Sequence, residues 1–100
     1  MSTVIITGAS RGIGEACARR FAADGTWNLV LTCSASEKAL LSLGEELSSL
    51  VPGLMLSVGD IADESYTESL FREAEERFGI PDVVICNAGT AWYGPSVNFS

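Results

Sequence analysis

The sequence predicts an α/β fold, with helices on both faces of a parallel sheet. Two observations carry this prediction. Four short apolar runs alternate with three segments in which apolar residues recur at helical spacing, and only a few residues separate one from the next. The runs are apolar throughout rather than alternating, which is typical of strands buried on both faces. The expected order is βαβαβαβ with right-handed crossovers.

The first strand is predicted at residues 3–7, where a β-branched run stops at Gly8. A helix is expected from residue 12 to about residue 24, followed by a second strand over residues 27–31. This helix is predicted to bury one face, which carries Ile13, Ala16, Cys17 and Phe21.

The second helix is predicted between a capping box and a Pro-Gly pair. Ser34 and Glu37 have the Ser-x-x-Glu spacing of the capping box, and Pro52 and Gly53 close the segment. A single apolar stripe is expected along it, formed by Leu40, Leu43, Leu47, Leu50 and Val51. The third strand is then expected at residues 54–58.

The third helix is predicted to begin around Asp63 and to stop at Gly79. Its buried side is expected to carry Tyr66, Leu70, Ala74 and Phe78. The fourth strand is predicted at residues 82–86. No repeat or linker interrupts this series, so a single domain is expected.

Composition argues against several classes of function. The 100 residues include 6 basic and 13 acidic side chains, and the formal net charge of −7 disfavours nucleic acid and anionic membranes as partners. No apolar run approaches the ~18 residues of a membrane span. The chain has no histidine and its three cysteines lack C-x-x-C spacing, so neither a metal site nor a disulfide framework is expected. Free cysteines and the lack of a signal-peptide pattern favour the cytoplasm.

The connection after the first strand is the most informative part of the sequence. Three glycines stand between strand and helix in Gly-x3-Gly-x-Gly spacing. Gly8 allows a tight exit from the strand, Gly12 lets the backbone approach a pyrophosphate, and Gly14 lets the helix lie close to the strand. The helix N-terminus offers unpaired N–H groups to the phosphates. The alternative is a purely structural turn.

The connection after the second strand lacks the acidic residue that would bind the ribose 2′-hydroxyl of NAD. Glu37 is the nearest carboxylate, and its place in the capping box explains it. Small residues here, Cys33 and Ser34 among them, leave room for a 2′-phosphate, and Arg11 supplies positive charge. The sequence therefore favours NADP(H) over NAD(H). As alternatives, Arg11 is a solvated loop residue and Ser34 a plain helix N-cap.

Two further connections carry candidate binding residues. Asp60 could accept a hydrogen bond from an adenine amino group, and Ile61 could cover the ring. Asn87, Ala88 and Gly89 follow the fourth strand, where an amide can bond neighbouring backbone and a glycine leaves space beside a cofactor. For each connection, a simple turn is the alternative.

Together these three motifs resemble the short-chain dehydrogenase/reductase family over residues 3 to about 95. In style, the chain is most similar to 3-oxoacyl-carrier-protein reductases. The resemblance implies a Rossmann-type doubly wound sheet, with pyrophosphate bound along Ser10, Arg11, Gly12, Ile13 and Gly14. It also implies adenosine ribose beside Arg11 and residues 32–34, adenine at Asp60 and Ile61, and the ribose beside the sheet at residues 87–89. A small carbonyl or alcohol substrate and a homo-oligomer are implied as well.

The family's catalytic Tyr-x3-Lys pair is absent from these 100 residues. The only lysine is Lys38, and the residues four positions after Tyr66 and Tyr93 are Leu70 and Val97. No catalytic residue is therefore expected here. The chain is interpreted as the N-terminal, cofactor-binding part of a longer single-domain NADP(H)-dependent reductase. The alternative is a non-catalytic dinucleotide sensor or interaction protein.

Overall fold

The computed structural model describes residues 2–9 and 12–86, and the elements follow the predicted order. Ser10, Arg11, Asn87, Ala88 and Gly89, all predicted to bind a cofactor, lie outside the described residues. The bounds are β1 Ser2–Thr7, α1 Gly12–Asp24, β2 Trp27–Cys33, α2 Glu37–Leu47, β3 Gly53–Val58, α3 Glu64–Phe78 and β4 Val83–Cys86. None of the helices described is long and apolar enough to cross a membrane.

The four described strands form one parallel sheet in the order β3-β2-β1-β4. Ile5 in β1 lies opposite Val30 in β2 on one side and Val84 in β4 on the other, and Val30 in turn lies opposite Met55 in β3. The chain winds outward through β2 and β3 and then crosses back to place β4 beside β1. That reversal at the β1/β4 pair is the switch point of a Rossmann-type doubly wound sheet, and the predicted fold class is confirmed.

Each face of the sheet has its own core because side chains alternate along a strand. On the α1 and α2 side, the strand residues of the core are Val4, Ile6, Leu29, Leu31 and Cys33. On the α3 side, Ile5, Val30 and Met55 pack with Leu70 and Ala74. The short run in each strand is thus apolar on both faces because both faces are covered.

The predicted buried face of α1 is wrong by about one position. The buried residues are Gly14, Ala18 and Ala22, whereas Ile13 is 70% exposed and Ala16 is exposed. Cys17 and Phe21 lie at the flank, packed against the core but only partly buried. The small residues recur every four positions and let the helix axis approach the sheet closely. Sequence periodicity weighted towards large apolar side chains selects the wrong face in such a helix.

The capping box predicted for α2 is absent. Ser36 is the N-cap and makes no side-chain cap hydrogen bond, so Glu37 is the first helical residue and cannot reach back as a capping partner. The apolar stripe is also shorter than predicted. The helix ends at Leu47, Leu50 follows in a turn and is half exposed, and Gly53 already belongs to β3.

The prediction for α3 is confirmed. The Asp63 side chain caps the helix by accepting from the N–H groups of Ser65 and Tyr66, and the helix stops at Gly79, whose φ is 91°. Leu70 and Ala74 are buried. Tyr66 and Phe78, the other members of the predicted face, are half-buried and pack against the same core.

Candidate functional site

The connection from β1 to α1 turns sharply at two glycines. Gly8 and Gly12 both have φ of 64°, a left-handed conformation that side chains other than glycine rarely adopt. Between them, Ala9 is fully buried and its N–H donates to the backbone oxygen of Thr32 at 2.9 Å. This bond ties the start of the connection to the carboxyl end of β2.

Gly12 and Gly14 have different environments, as the sequence predicts. Gly12 begins α1 and is exposed, and a Cβ built on it would meet no described atom within 4 Å beyond its chain neighbours. Gly14 is buried on the face that packs against the sheet. Among residues 2–9 and 12–86, the space beside Gly12 is therefore open at the helix N-terminus, where backbone N–H groups favour an anion.

Ile13 lies between these two glycines with its side chain largely in solvent. Its exposed fraction of 70% removes it from the core. A large apolar side chain exposed beside an open helix N-terminus is in a position to contact a bound ligand. The prediction that Ile13 belongs to the core is therefore wrong. Its predicted role in cofactor binding stays a prediction.

At the end of β2, Cys33 and Ser34 face opposite environments. The Cys33 side chain is 3% exposed and belongs to the core on the α1 and α2 side. Its backbone oxygen accepts a hydrogen bond from the N–H of Gly59 at 2.9 Å. Ser34 is exposed. Of the two, only Ser34 presents its side chain to solvent, so a ligand contact at Cys33 would not involve its thiol.

The connection from β3 to α3 begins at Gly59, beside the end of β2. The exposed Asp60 uses Oδ1 to accept from the N–H of Ala62 at 2.9 Å, and its backbone oxygen accepts from the N–H of Asp63 at 2.8 Å. Within the described part of the chain, no hydrogen bond uses Asp60 Oδ2, and the residue is exposed. Ile61 is half-buried against the core on the α3 side. An acceptor and an apolar side chain are thus adjacent at the sheet's carboxyl edge.

Sequence reasoning missed two hydroxyl contacts that hold this connection. The hydroxyl oxygens of Ser57 and Tyr66 lie 2.7 Å apart, and the Thr67 hydroxyl donates to the backbone oxygen of Ile61 at 2.9 Å. Tyr66 was predicted on the buried side of its helix, but helical periodicity carries no signal for the partner of its hydroxyl. The nearest signal is Gly59, since a glycine between a strand and an acidic residue indicates a close approach.

The end of β4 lies beside the end of β1. Cys86 pairs with Thr7, and the Thr7 hydroxyl lies 3.5 Å from the backbone oxygen of Ile85. Cys86 is the residue immediately before Asn87, so the described residues lead up to the predicted Asn-Ala-Gly segment at the switch point. Across residues 2–9 and 12–86, no group of three or more Cys, Asp or Glu side chains could hold a metal ion.

Among the described residues, the ion pairs join Arg19 to one carboxylate within α1 and to one on α2. Arg19 pairs with Glu15 at 2.8 Å and with Glu46 at 2.6 Å. The hydrogen bond that Arg19 donates to Glu15, followed by the one it donates to Glu46, raises the pKa of Arg19 above its ordinary value. The exposed Arg19–Glu46 pair connects two helices on the same face of the sheet, and neither pair takes part in the carboxyl-end connections.

Fold and connections together define the class of protein. A parallel sheet that reverses at β1/β4, with a glycine-rich first connection leading into a helix, is the arrangement of Rossmann-type nucleotide-binding folds. The model of the short-chain dehydrogenase family matches residues 2–100. The chain belongs to that family.

Relatives with known names span a range of substrates. The chain is 39% identical over 88 residues to an NADPH-dependent pterin aldehyde reductase of Arabidopsis thaliana, covering 88% of this chain and 35% of the relative. It is 45% identical over 91 residues to an L-rhamnose 1-dehydrogenase (NAD(P)(+)) of Azotobacter vinelandii, covering 87% of this chain and 35% of the relative. The chain therefore spans about a third of the length of these curated relatives.

A solved structure shows the same architecture. A blue fluorescent protein from a metagenomic library, in complex with NADPH, superposes with a TM-score of 0.81 at 31% identity. The match covers 94% of this chain and 38% of that protein.

Proposed function

We propose that the intact protein is an NADP(H)-dependent oxidoreductase that transfers hydride between the nicotinamide and a carbonyl or alcohol carbon. The described residues supply the dinucleotide-binding part. The observation that carries this proposal is the open, left-handed Gly12 at the N-terminus of α1, on the carboxyl side of a parallel sheet. Family membership supports the reaction class, and the names of the pterin aldehyde reductase and of the NADPH complex support the cofactor.

The described residues fit a dinucleotide. The open space beside Gly12 admits a pyrophosphate close to the backbone N–H groups of the first turn of α1. Asp60 offers Oδ2 to an adenine amino group, and Ile61 offers apolar surface to the ring. Ser10, Arg11 and residues 87–89 are included in the proposed site on the basis of the sequence motifs alone. When bound, the cofactor would supply the hydride chemistry, and these residues bind and orient it.

The preference for the 2′-phosphate is proposed on Arg11 and Ser34. Ser34 is exposed at the end of β2, where no carboxylate occupies the strand end itself. The structure removes the capping-box explanation for Glu37, so this carboxylate belongs in the test of cofactor preference. One relative is named for NAD(P)(+), which shows that family membership alone does not decide the preference.

Catalytic acid–base residues and most of the substrate pocket are proposed to come from outside these 100 residues. The Tyr66 hydroxyl is hydrogen-bonded to that of Ser57. The position four residues after Tyr66, where a catalytic Tyr-x3-Lys pair needs a lysine, holds the buried Leu70. Candidate substrates are 3-oxoacyl thioesters, because the sequence resembles 3-oxoacyl-carrier-protein reductases, and aldehydes and sugars, which appear in the names of two relatives. A homo-oligomeric assembly and a cytoplasmic location remain parts of this proposal.

Binding of NADPH to the intact protein tests the proposal, with Gly12→Ala compared against Gly79→Ala. Both glycines have positive φ and, among the described residues, open space where a Cβ would lie, so both substitutions strain the backbone. Gly79→Ala is the stricter control, because φ of 91° and ψ of −173° at Gly79 suit glycine almost alone and cost another residue about 1–3 kcal/mol. Only Gly12 lies at the carboxyl side of the sheet. We expect Gly12→Ala to weaken NADPH binding at least tenfold in calorimetry, and Gly79→Ala to leave the dissociation constant unchanged.

Equal effects of the two substitutions on binding would contradict the proposed site. Turnover is tested with NADPH and a panel of 3-oxoacyl thioesters, aldehydes and sugars. Oxidation of NADPH with one of these classes supports the reductase. Tight NADPH binding with no turnover of any class supports the non-catalytic alternative.

A further inference from the structure

We infer that Tyr66 and Thr67 are positioning residues that set how the adenine end of the dinucleotide is recognised. They touch no proposed ligand and act through the connection at residues 59–61. The inference rests on the proposed function, because it concerns how Asp60 and Ile61 are held for binding.

Tyr66 fixes the start of this connection against β3. A Cβ built on Gly59 would clash with the Tyr66 ring, so the ring occupies the space that a side chain at residue 59 would need. The ring is held in turn by the 2.7 Å contact between the Tyr66 and Ser57 hydroxyls. Tyr66 therefore bridges Ser57 of β3 and the backbone at Gly59.

Thr67 fixes the other end of the connection. Its hydroxyl donates to the Ile61 backbone oxygen at 2.9 Å, while its own N–H donates to the backbone oxygen of Asp63 at 3.0 Å. The side chain thus joins α3 to the residue that follows Asp60. Two adjacent residues in the first turn of α3 therefore hold the residues on either side of Asp60: Tyr66 packs against Gly59, and Thr67 bonds to Ile61.

The remaining bonds of the connection do not attach it to α3 in the same way. Asp60 bonds to Ala62 and Asp63, which shapes the turn internally, and the N–H of Gly59 bonds to β2 through Cys33. The helix itself is attached to the sheet by Leu70 and Ala74. The two hydroxyls can therefore be removed while the helix, its Asp63 cap and the turn persist.

The expected consequence concerns selectivity rather than fold. A carboxylate accepts a well-formed hydrogen bond from a ligand amino group only when its position is held within about 0.5 Å and its orientation within about 10–20° of the productive geometry. Without the Tyr66 and Thr67 hydroxyls the connection has more freedom, and the contact between Asp60 and the adenine amino group weakens. Binding of the pyrophosphate and nicotinamide depends on other connections and is expected to persist.

The experiment compares NADPH with its deamino analogue, in which hypoxanthine replaces adenine and the amino group is lost. In the intact protein we expect NADPH to bind at least tenfold more tightly than the analogue, as a charge-assisted hydrogen bond predicts. Tyr66→Phe and Thr67→Val should each reduce this ratio about fivefold. A general loss of stability would not change the ratio, because it affects both ligands equally.

Thr26→Val is the matched control. The Thr26 hydroxyl also makes one side-chain hydrogen bond, to Asp24 at 3.3 Å, but it precedes β2 at the amino side of the sheet. It should leave the ratio unchanged. Ser57→Ala should reproduce Tyr66→Phe, and the two together should have no larger effect than either alone.

The outcomes separate this inference from the proposed function. If the unsubstituted protein does not bind NADPH, the proposed function fails and the inference fails with it. If it binds NADPH but discriminates the two ligands equally in the unsubstituted, Tyr66→Phe and Thr67→Val proteins, only the inference is overturned. A reduced ratio in both variants, with Thr26→Val unchanged, supports it.

Discussion

Arg77 Nη2 donates to the backbone oxygen of Leu54 at 3.3 Å, so a side chain of α3 reaches the outer edge of β3. Among the described strands, β3 is an edge strand that pairs only with β2. An edge strand presents unpaired backbone groups to other chains, and a charged side chain over the edge discourages that pairing. The guanidinium also lies 5.2 Å from the centroid of the Phe78 ring, which helps to hold it there.

We therefore expect Arg77→Ala to increase aggregation more than it reduces stability. The free energy of unfolding should fall by about 1 kcal/mol or less, because the contacts are exposed. Light scattering at 37 °C should nevertheless rise faster than for the unsubstituted protein. Arg72→Ala removes the same charge from an exposed position of the same helix and is the control. Equal aggregation of the two variants would show that edge protection is not the cause.

Gly59→Ala should destabilise the protein through the Tyr66 ring. Because a Cβ would clash with that ring, we expect a cost of about 1–3 kcal/mol in chemical denaturation. In a Tyr66→Ala background the same substitution should cost less than about 0.5 kcal/mol, since the space is then free. A cost that is the same in both backgrounds would place its origin elsewhere in the connection.

The NADP(H) preference of the intact protein should depend on Arg11. A charge-assisted contact with the 2′-phosphate corresponds to roughly a 10- to 100-fold preference in kcat/KM over NADH. We expect Arg11→Ala to reduce this preference and Ser34→Asp to reduce it further or reverse it, because a carboxylate repels the phosphate and can accept from the hydroxyls of NAD. If Arg11→Ala leaves the ratio unchanged, Arg11 is a solvated loop residue.

Glu37→Gln examines the carboxylate that the structure leaves without a capping role. If Glu37 does not approach the ribose, the ratio of kcat/KM for the two cofactors should change by less than about twofold. A clear rise in the preference for NADP(H) would show that Glu37 opposes the 2′-phosphate and that the strand-end residues alone do not set the preference.

Ile13→Gln distinguishes a core residue from a ligand contact. With 70% of the residue exposed, the substitution should change the free energy of unfolding by less than about 0.5 kcal/mol. If Ile13 lies against bound NADPH, the dissociation constant should rise several-fold while the melting temperature of the free protein stays constant. Phe21→Gln, on the flank of the same helix and packed against the core, should show the reverse pattern. A large loss of stability in Ile13→Gln would contradict the observed exposure.

The sequence by itself predicts the order of the seven elements between residues 2 and 86 and the parallel sheet. Strand runs that are apolar on both faces can be buried only between two layers of helices, so residues 3–7 and 27–31 already indicate the architecture. The glycines of the first connection were also identifiable. Gly8 and Gly12 have positive φ, a local backbone conformation that glycine adopts without strain and that fits the tight exit predicted at Gly8. The same holds for Asp63, whose side chain caps the helix that immediately follows it.

Only the tertiary structure decided which face of α1 is buried, how α2 begins and what holds Asp60 in place. Gly14, Ala18 and Ala22 are buried because the close approach of a helix to a sheet selects small residues, a criterion that hydrophobicity does not contain. The contact between Ser57 and Tyr66 joins a strand to the helix that follows it, and its geometry depends on how that helix packs. Such contacts depend on the distance between elements, which residue spacing along the chain does not specify.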